Sequence, residues 1–270
     1  MSRRSGTSAP HGNDAGDWTG QISSSDGTAI HYDVYHNESR SVGLPLILII
    51  PGFWRHRRYP TMPRLARFIQ SLGYSVAILD VRGHGQSGGS FGFNLKEHED
   101  VEAVGKELLA RLQASSIILF GFSLGGAIAV STAARTSLPI RALLLISPVA
   151  DLSLVSPRVN PFSLHRHVAL SQIFSRPRFS WRFRRSEKIR ALDDIARVAQ
   201  PLTLIHVKND WLVGHQHSIA LFEAAVEPKE LVILDLPGNL HADRIFSDAA
   251  SSIEPLVCEF LARNGSAKSV

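Results

Sequence analysis

Short apolar runs alternate with amphipathic stretches along most of this chain. Leu44–Ile50 and Ser75–Leu79 read as strands buried on both faces, because they are continuously apolar rather than alternating. Between them Met62, Leu65, Phe68, Ile69 and Leu72 recur at helical spacing, and Gly73 supplies the stop. Val101, Val104, Leu108 and Leu112 mark a second amphipathic helix. The rhythm continues through strand 116–121, helix 124–135, strand 141–147, strand 202–207, helix 215–226 and strand 230–235. One last helix is expected from about Ala242 to Arg263, with Ile245, Ala249, Ile253, Val257 and Phe260 as its stripe. Upstream, Gly20–Ser24 and Thr28–Tyr35 flank Ser25-Asp26-Gly27, a hairpin signal. This alternation predicts an α/β fold whose mostly parallel sheet carries helices on both faces. Chemistry in such sheets collects at the carboxyl ends of the strands.

Composition narrows the class. The chain has 270 residues, 44% hydrophobic and 20% charged, which suits one compact soluble domain. That domain is expected over residues 18–263, between a polar N-terminal tail (1–17) and a short C-terminal tail (264–270). No apolar run approaches the roughly 20 residues of a membrane span, and the small, polar N-terminus lacks the apolar centre of a secretory signal. The single cysteine, Cys258, allows no intrachain disulfide, so a cytoplasmic location is expected. The net charge of +5 is concentrated: residues 151–200 hold ten Lys/Arg and four Asp/Glu, or +6, and the remainder sums to about −1.

The chemistry centres on Gly121-Phe122-Ser123-Leu124-Gly125, which ends one apolar run and opens a run of small helix formers. A G-x-S-x-G turn between strand and helix pushes its serine out above the sheet, at a helix N-terminus. Such a hydroxyl needs a histidine to take its proton, and the histidine needs an acid to orient it. Asp210 follows strand 202–207 and His241 follows strand 230–235, on the same side of the sheet as Ser123. Asp151, after strand 141–147, is the rival acid, and Asn209-Asp210 could serve only as a turn.

These residues resemble motifs of the α/β-hydrolase superfamily from about residue 18 to 263. Gly121–Gly125 resembles its nucleophile elbow, His206-Val-Lys-Asn-Asp210-x-x-Val213 its acid loop, and Gly238-Asn-Leu-His241 its histidine loop. Asp80-Val-Arg-Gly-His-Gly-Gln-Ser87 resembles its D-x-R-G-x-G-x-S turn, and Pro51-Gly52-Phe53 its H-G-x oxyanion loop. Pro51 replaces the usual histidine and Val207 the usual glycine. The resemblance implies Ser123, Asp210 and His241 as a triad, with the backbone N–H groups of Phe53 and Leu124 as oxyanion donors. It also implies a small cap over residues 151–200.

The remaining signals point elsewhere. His206 reads as a satisfied core histidine, His84 as part of a glycine turn, and His215 and His217 as exposed at a helix start. No zinc spacing and no dinucleotide fingerprint is present, so neither a metal nor a cofactor is expected. Arg176-Pro-Arg-Phe-Ser-Trp-Arg-Phe-Arg-Arg185 interleaves cations with aromatics. Nucleic acid, a peripheral membrane contact and a plain solvated face all fit that mixture, and a cap whose aromatics line an acyl pocket is the simplest reading. In the steering version, Arg182, Arg184 and Arg185 draw in an anionic substrate or an acidic membrane surface. The activity expected is hydrolysis of a carboxylic ester or thioester through an acyl-enzyme. Acyl transfer, peptide cleavage and carbon–carbon hydrolysis would use the same triad, and a binding protein on this scaffold is the non-catalytic alternative.

Overall fold

The computed structural model describes residues 16–38, 44–93, 96–152, 177–178 and 190–265. The N-terminal tail to residue 15 and most of the basic segment, including Arg182, Arg184 and Arg185, lie outside the described residues.

Eight strands form one sheet in the order β1-β2-β4-β3-β5-β6-β7-β8. They are β1 (Trp18–Ser23), β2 (Ala29–Tyr35), β3 (Leu46–Ile50), β4 (Val76–Leu79), β5 (Ile117–Phe122), β6 (Ile140–Ile146), β7 (Leu202–Val207) and β8 (Lys229–Leu234). The β1–β2 and β2–β4 pairs are antiparallel and the others parallel. This is the α/β-hydrolase arrangement expected from the sequence. The helices are α1 (Thr61–Ser71), α2 (Glu97–Leu112), α3 (Leu124–Arg135), α4 (Ala191–Asp194), α5 (Gln216–Ala224), α6 (Arg244–Asp248) and α7 (Ala250–Asn264).

The period-2 geometry of a strand explains why the central runs are apolar throughout. Leu46, Leu48 and Ile50 of β3 pack with Val101, Val104 and Leu108 of α2 and Ile128 of α3. Ile47 and Ile49 point the other way, toward Met62, Leu65 and Ile69 of α1 and Ile253, Val257 and Phe260 of α7. Each such side chain contributes about 1.5–3 kcal/mol when fully buried.

The single last helix expected from the periodicity is two helices. The chain breaks at Ala249 (φ −143, ψ 41), and Pro255 sits inside α7. The apolar stripe runs through the break because Ile245 of α6 and Ile253, Val257 and Phe260 of α7 pack into the same core. Ser247, Asp248, Ser251 and Ser252 around it compete for backbone hydrogen bonds and favour helix ends.

Register sets up the site. Ile50 pairs with Gly121, Phe122 with Ile146, and Val207 with Leu234. The carboxyl ends of β3, β5, β6, β7 and β8 therefore finish along one edge of the sheet, and the loops leaving them meet there.

Candidate active site

The strand-to-helix turn carries Ser123 at the N-cap of α3 with φ 52 and ψ −118. Such a conformation costs a non-glycine residue about 1–3 kcal/mol. Three backbone bonds hold it: the Ser123 N–H donates to Ile146 O at 2.9 Å, and the Ser123 carbonyl accepts from Gly126 N at 3.0 Å and Val149 N at 3.2 Å. The flanking glycines permit the close approach. A Cβ at Gly121 would lie 2.6 Å from Gly126 Cα, and one at Gly125 would lie 2.2 Å from Ile50 O.

His241 reaches the serine from the loop after β8. Its Nε2 lies 2.9 Å from Ser123 Oγ and its Nδ1 lies 2.7 Å from Asp210 Oδ2. With Nδ1–H donating to the carboxylate, Nε2 is left to accept the serine proton. Ser123 and His241 are 7% and 8% exposed, and the Asp210 side chain is fully buried. Asp210 Oδ1 accepts from Leu212 N at 2.9 Å and Val213 N at 3.0 Å. Burial pushes the Asp210 carboxyl up. The charge that His241 carries when protonated, hydrogen bonds from His206 and His241, and the Val213 amide outweigh it and hold the acid well below the usual carboxylate range.

His206 sits inside β7, fully buried, between Ser218 Oγ at 2.7 Å and Val213 O at 2.8 Å. It braces the loop that presents Asp210. Asp151, the other candidate acid, is 6% exposed and pairs with Arg190 Nη1 at 2.9 Å. His217 differs from expectation: it is buried, and its Nδ1 accepts the Ala150 N–H at 3.1 Å. Its position one residue into α5 suggested solvent, but α5 packs that face against the loop after β6.

The oxyanion candidates are backbone groups next to Ser123 in the chain or in space. Leu124 is the first residue of α3, so its N–H has no acceptor within the helix. Phe53 follows Pro51-Gly52 after β3, and a Cβ at Gly52 would lie 3.1 Å from Ser123 Cβ, which shows how closely this loop passes the nucleophile. Phe53 packs against Phe91, Phe93 and His84. His84 thus packs against the Phe53 ring, and burial lowers its pKa to about 4, opposed only in part by its bond to the Arg82 carbonyl. Gly52, Phe53, Ser123, Trp211, Leu212 and His241 line a cleft together with Arg55, Asp243 and Arg244.

Two networks were not anticipated from the sequence. Arg57, fully buried, donates through Nε to Asp33 at 2.9 Å and through Nη1 to Asp80, while its own N–H donates to Asp80 Oδ1 at 2.7 Å. It ties the loop after β3 to the D-x-R-G-x-G-x-S turn, across which Arg178 also lays hydrogen bonds to Ser87 and Gly89. Arg55 donates through Nε to Asp243, which also accepts from Thr61 Oγ1 at 2.8 Å. An unusually cation-rich run, Arg55-His-Arg-Arg58, directly after Pro51-Gly52-Phe53-Trp54 was the available hint.

A family profile described as serine aminopeptidase, S33 (Hydrolase_4) matches residues 44–194, more than half of the chain. The lysophosphatidylserine lipase ABHD12 of Danio rerio is 26% identical over 206 residues, covering 73% of this chain and 51% of that protein. The chain spans about half the length of the curated relatives it matches. Among solved structures, the Pyrococcus furiosus esterase Pf2001 superposes with a TM-score of 0.74 at 22% identity, over 98% of this chain and 97% of that one. The α/β hydrolase GrgF of Penicillium sp. sh18 superposes with a TM-score of 0.74 at 19% identity, over 92% and 98%. At those identities the superpositions establish the fold, and the profile establishes the lineage. The chain belongs to the serine aminopeptidase S33 (Hydrolase_4) family of the α/β-hydrolase superfamily.

Proposed function

We propose that this chain is a serine hydrolase that cleaves a carboxylic ester or thioester through an acyl-enzyme on Ser123. One observation carries the reading: His241 bridges Ser123 Oγ and Asp210 Oδ2 at 2.9 and 2.7 Å. In the first half-reaction Ser123 Oγ bonds to the substrate carbonyl carbon while its proton passes to His241 Nε2. The carbonyl oxygen takes the negative charge and is met by the Phe53 and Leu124 N–H groups. Collapse breaks the bond to the leaving alcohol or thiol, which takes the proton from His241. Water then repeats the sequence on the acyl-enzyme, giving the acid and free Ser123. Asp210, held as a carboxylate, keeps Nδ1 protonated and stabilises the imidazolium that forms at each step.

The similar proteins named as a lipase and an esterase support ester cleavage. An aminopeptidase reading, which the family description raises, needs a carboxylate to receive the substrate ammonium. Among the described residues lining the cleft the acid is Asp243, whose oxygens already accept from Arg55 and Thr61. That commitment favours the ester. A fluorophosphonate probe should label the wild-type protein and not Ser123→Ala, and p-nitrophenyl esters of graded chain length or a thioester should be turned over. Failure of both labelling and turnover overturns the reading.

A further inference from the structure

We propose that Arg55 is a specificity-determining residue which selects substrates bearing an oxyanion, a carboxylate or phosphate, close to the scissile bond. The inference deepens the serine-hydrolase reading above and rests on it. Arg55 lines the cleft that holds Ser123 and His241 and keeps 17% of its side chain exposed there. Its Nε is spent on Asp243, at 3.1 and 3.3 Å from the two carboxylate oxygens. Its guanidinium carbon stands 4.1 Å from the centre of the Tyr59 ring, which fixes the plane of the group.

That geometry commits one end of the guanidinium and spares the other. The Nη1 and Nη2 groups have no acceptor among the described residues, and they form a planar fork that matches two oxygens of a carboxylate or phosphate. Asp243 offers no competition for a ligand cation, since its oxygens serve Arg55 and Thr61 and it is 3% exposed. A second arginine of the lining, Arg244, points its Nη2 at Asp248 at 2.7 Å, so among the described lining residues two arginines stand against one acid, Asp243. A buried acid that orients an arginine costs free energy to build, and orienting the fork toward a ligand gives it a use beyond holding two loops together.

Three butyryl esters of similar size test this: neutral monobutyrylglycerol, the butyryl ester of glyceric acid, and butyryl-glycerophosphate. Wild type should turn over at least one anionic ester with kcat/KM about tenfold or more above the neutral one, consistent with a charge-assisted forked contact. The arm that shows the preference tells carboxylate from phosphate. Arg55→Gln should bring the anionic-to-neutral ratio near one, with the change falling mainly on KM, and Arg55→Lys should restore part of it. No preference in wild type overturns the proposal. So does an equal loss on all three esters in Arg55→Gln, which would make Arg55 a strut between the oxyanion and histidine loops. Should Arg55→Gln unfold, the wild-type ratio and Arg55→Lys decide. Titration of butyryl-glycerophosphate into Ser123→Ala, with and without Arg55→Gln, reads the contact without turnover. If that binding depends on Arg55 while fluorophosphonate labelling fails, the hydrolase reading falls and the anion site stands.

Discussion

In the proposed reaction Ser123, His241 and Asp210 act as one unit, so removing any one of them should cost most of the rate. Ser123→Ala should lower kcat by about 10⁴-fold or more with the fold intact, because the turn already tolerates a small side chain. Asp210→Asn should cost roughly 10⁴ in kcat by favouring the wrong His241 tautomer, whereas Asp151→Asn, which touches the Arg190 pair, should cost far less. Steady-state ester hydrolysis by the three variants checks this, and the reverse order would put the acid at Asp151. His84 has a different residue-scale consequence. Its folded pKa of about 4 lies below the ordinary 6.5, so between these values the unfolded chain binds the extra proton. The stability His84 contributes is therefore complete above pH 6.5 and is lost as pH falls toward 4, by about 2–3 kcal/mol. Urea unfolding at pH 7 and pH 4.5 should show a smaller pH-dependent difference for His84→Gln than for wild type.

At the scale of elements, the site is a meeting of four loop starts whose spacing is set by backbone contact. The turn after β5 passes so close to the end of β3 that Gly125 has no room for a methyl group against Ile50 O. Backbone cannot move aside as a flexible side chain would. Gly125→Ala should destabilise the protein by about 1–3 kcal/mol, as overpacking does, and should lower kcat as well. The second effect follows because β3 leads directly into Phe53, so a displaced β3 end moves the proposed oxyanion donor. Thermal unfolding and ester turnover on the same sample test both, and a variant with lower Tm but full kcat would mean the two loops are not coupled. The split of the last helix belongs to this scale too. The 3.6-residue stripe was legible from Ile245 to Phe260, but a break that preserves the buried face leaves the stripe unchanged.

Across the whole molecule, buried charge joins distant parts of the chain. Arg57 serves Asp33 on β2 and Asp80 after β4, and both acids are essentially without solvent. Burial pushes the Asp33 carboxyl up, and the hydrogen bond and charge of Arg57 pull it below its ordinary range. Arg57→Met would leave Asp80 buried without this cation and Asp33 with Arg58 as its remaining one, a change expected to cost about 3–5 kcal/mol. Arg67→Met, which removes a half-exposed pair with Asp17, should cost under about 1 kcal/mol. Chemical denaturation of the two variants separates them, and comparable losses would mean that Arg57 is not the fastening it resembles.

The strands, most of the helices, the sharp turn at Ser123 and the places of Asp210 and His241 were legible in the sequence, because each depends on local periodicity or turn chemistry; the short helix Ala191–Asp194 and the break at Ala249 were not. The order of the strands was not. Sequence order would set β3 beside β2, yet β4 lies between them, since pairing is decided by which buried faces fit after the crossovers close. Asp210 was the expected partner of His241, with Asp151 as rival, and the folded chain sets it 2.7 Å from His241 Nδ1 while Asp151 pairs with Arg190. Arg55 and Asp243 lie 188 residues apart, and Arg57 and Asp33 lie 24 apart. A charged side chain carries no mark of its partner in its own neighbourhood. Only the folded chain removes the water around both groups, and that desolvation is what makes the pairing obligatory.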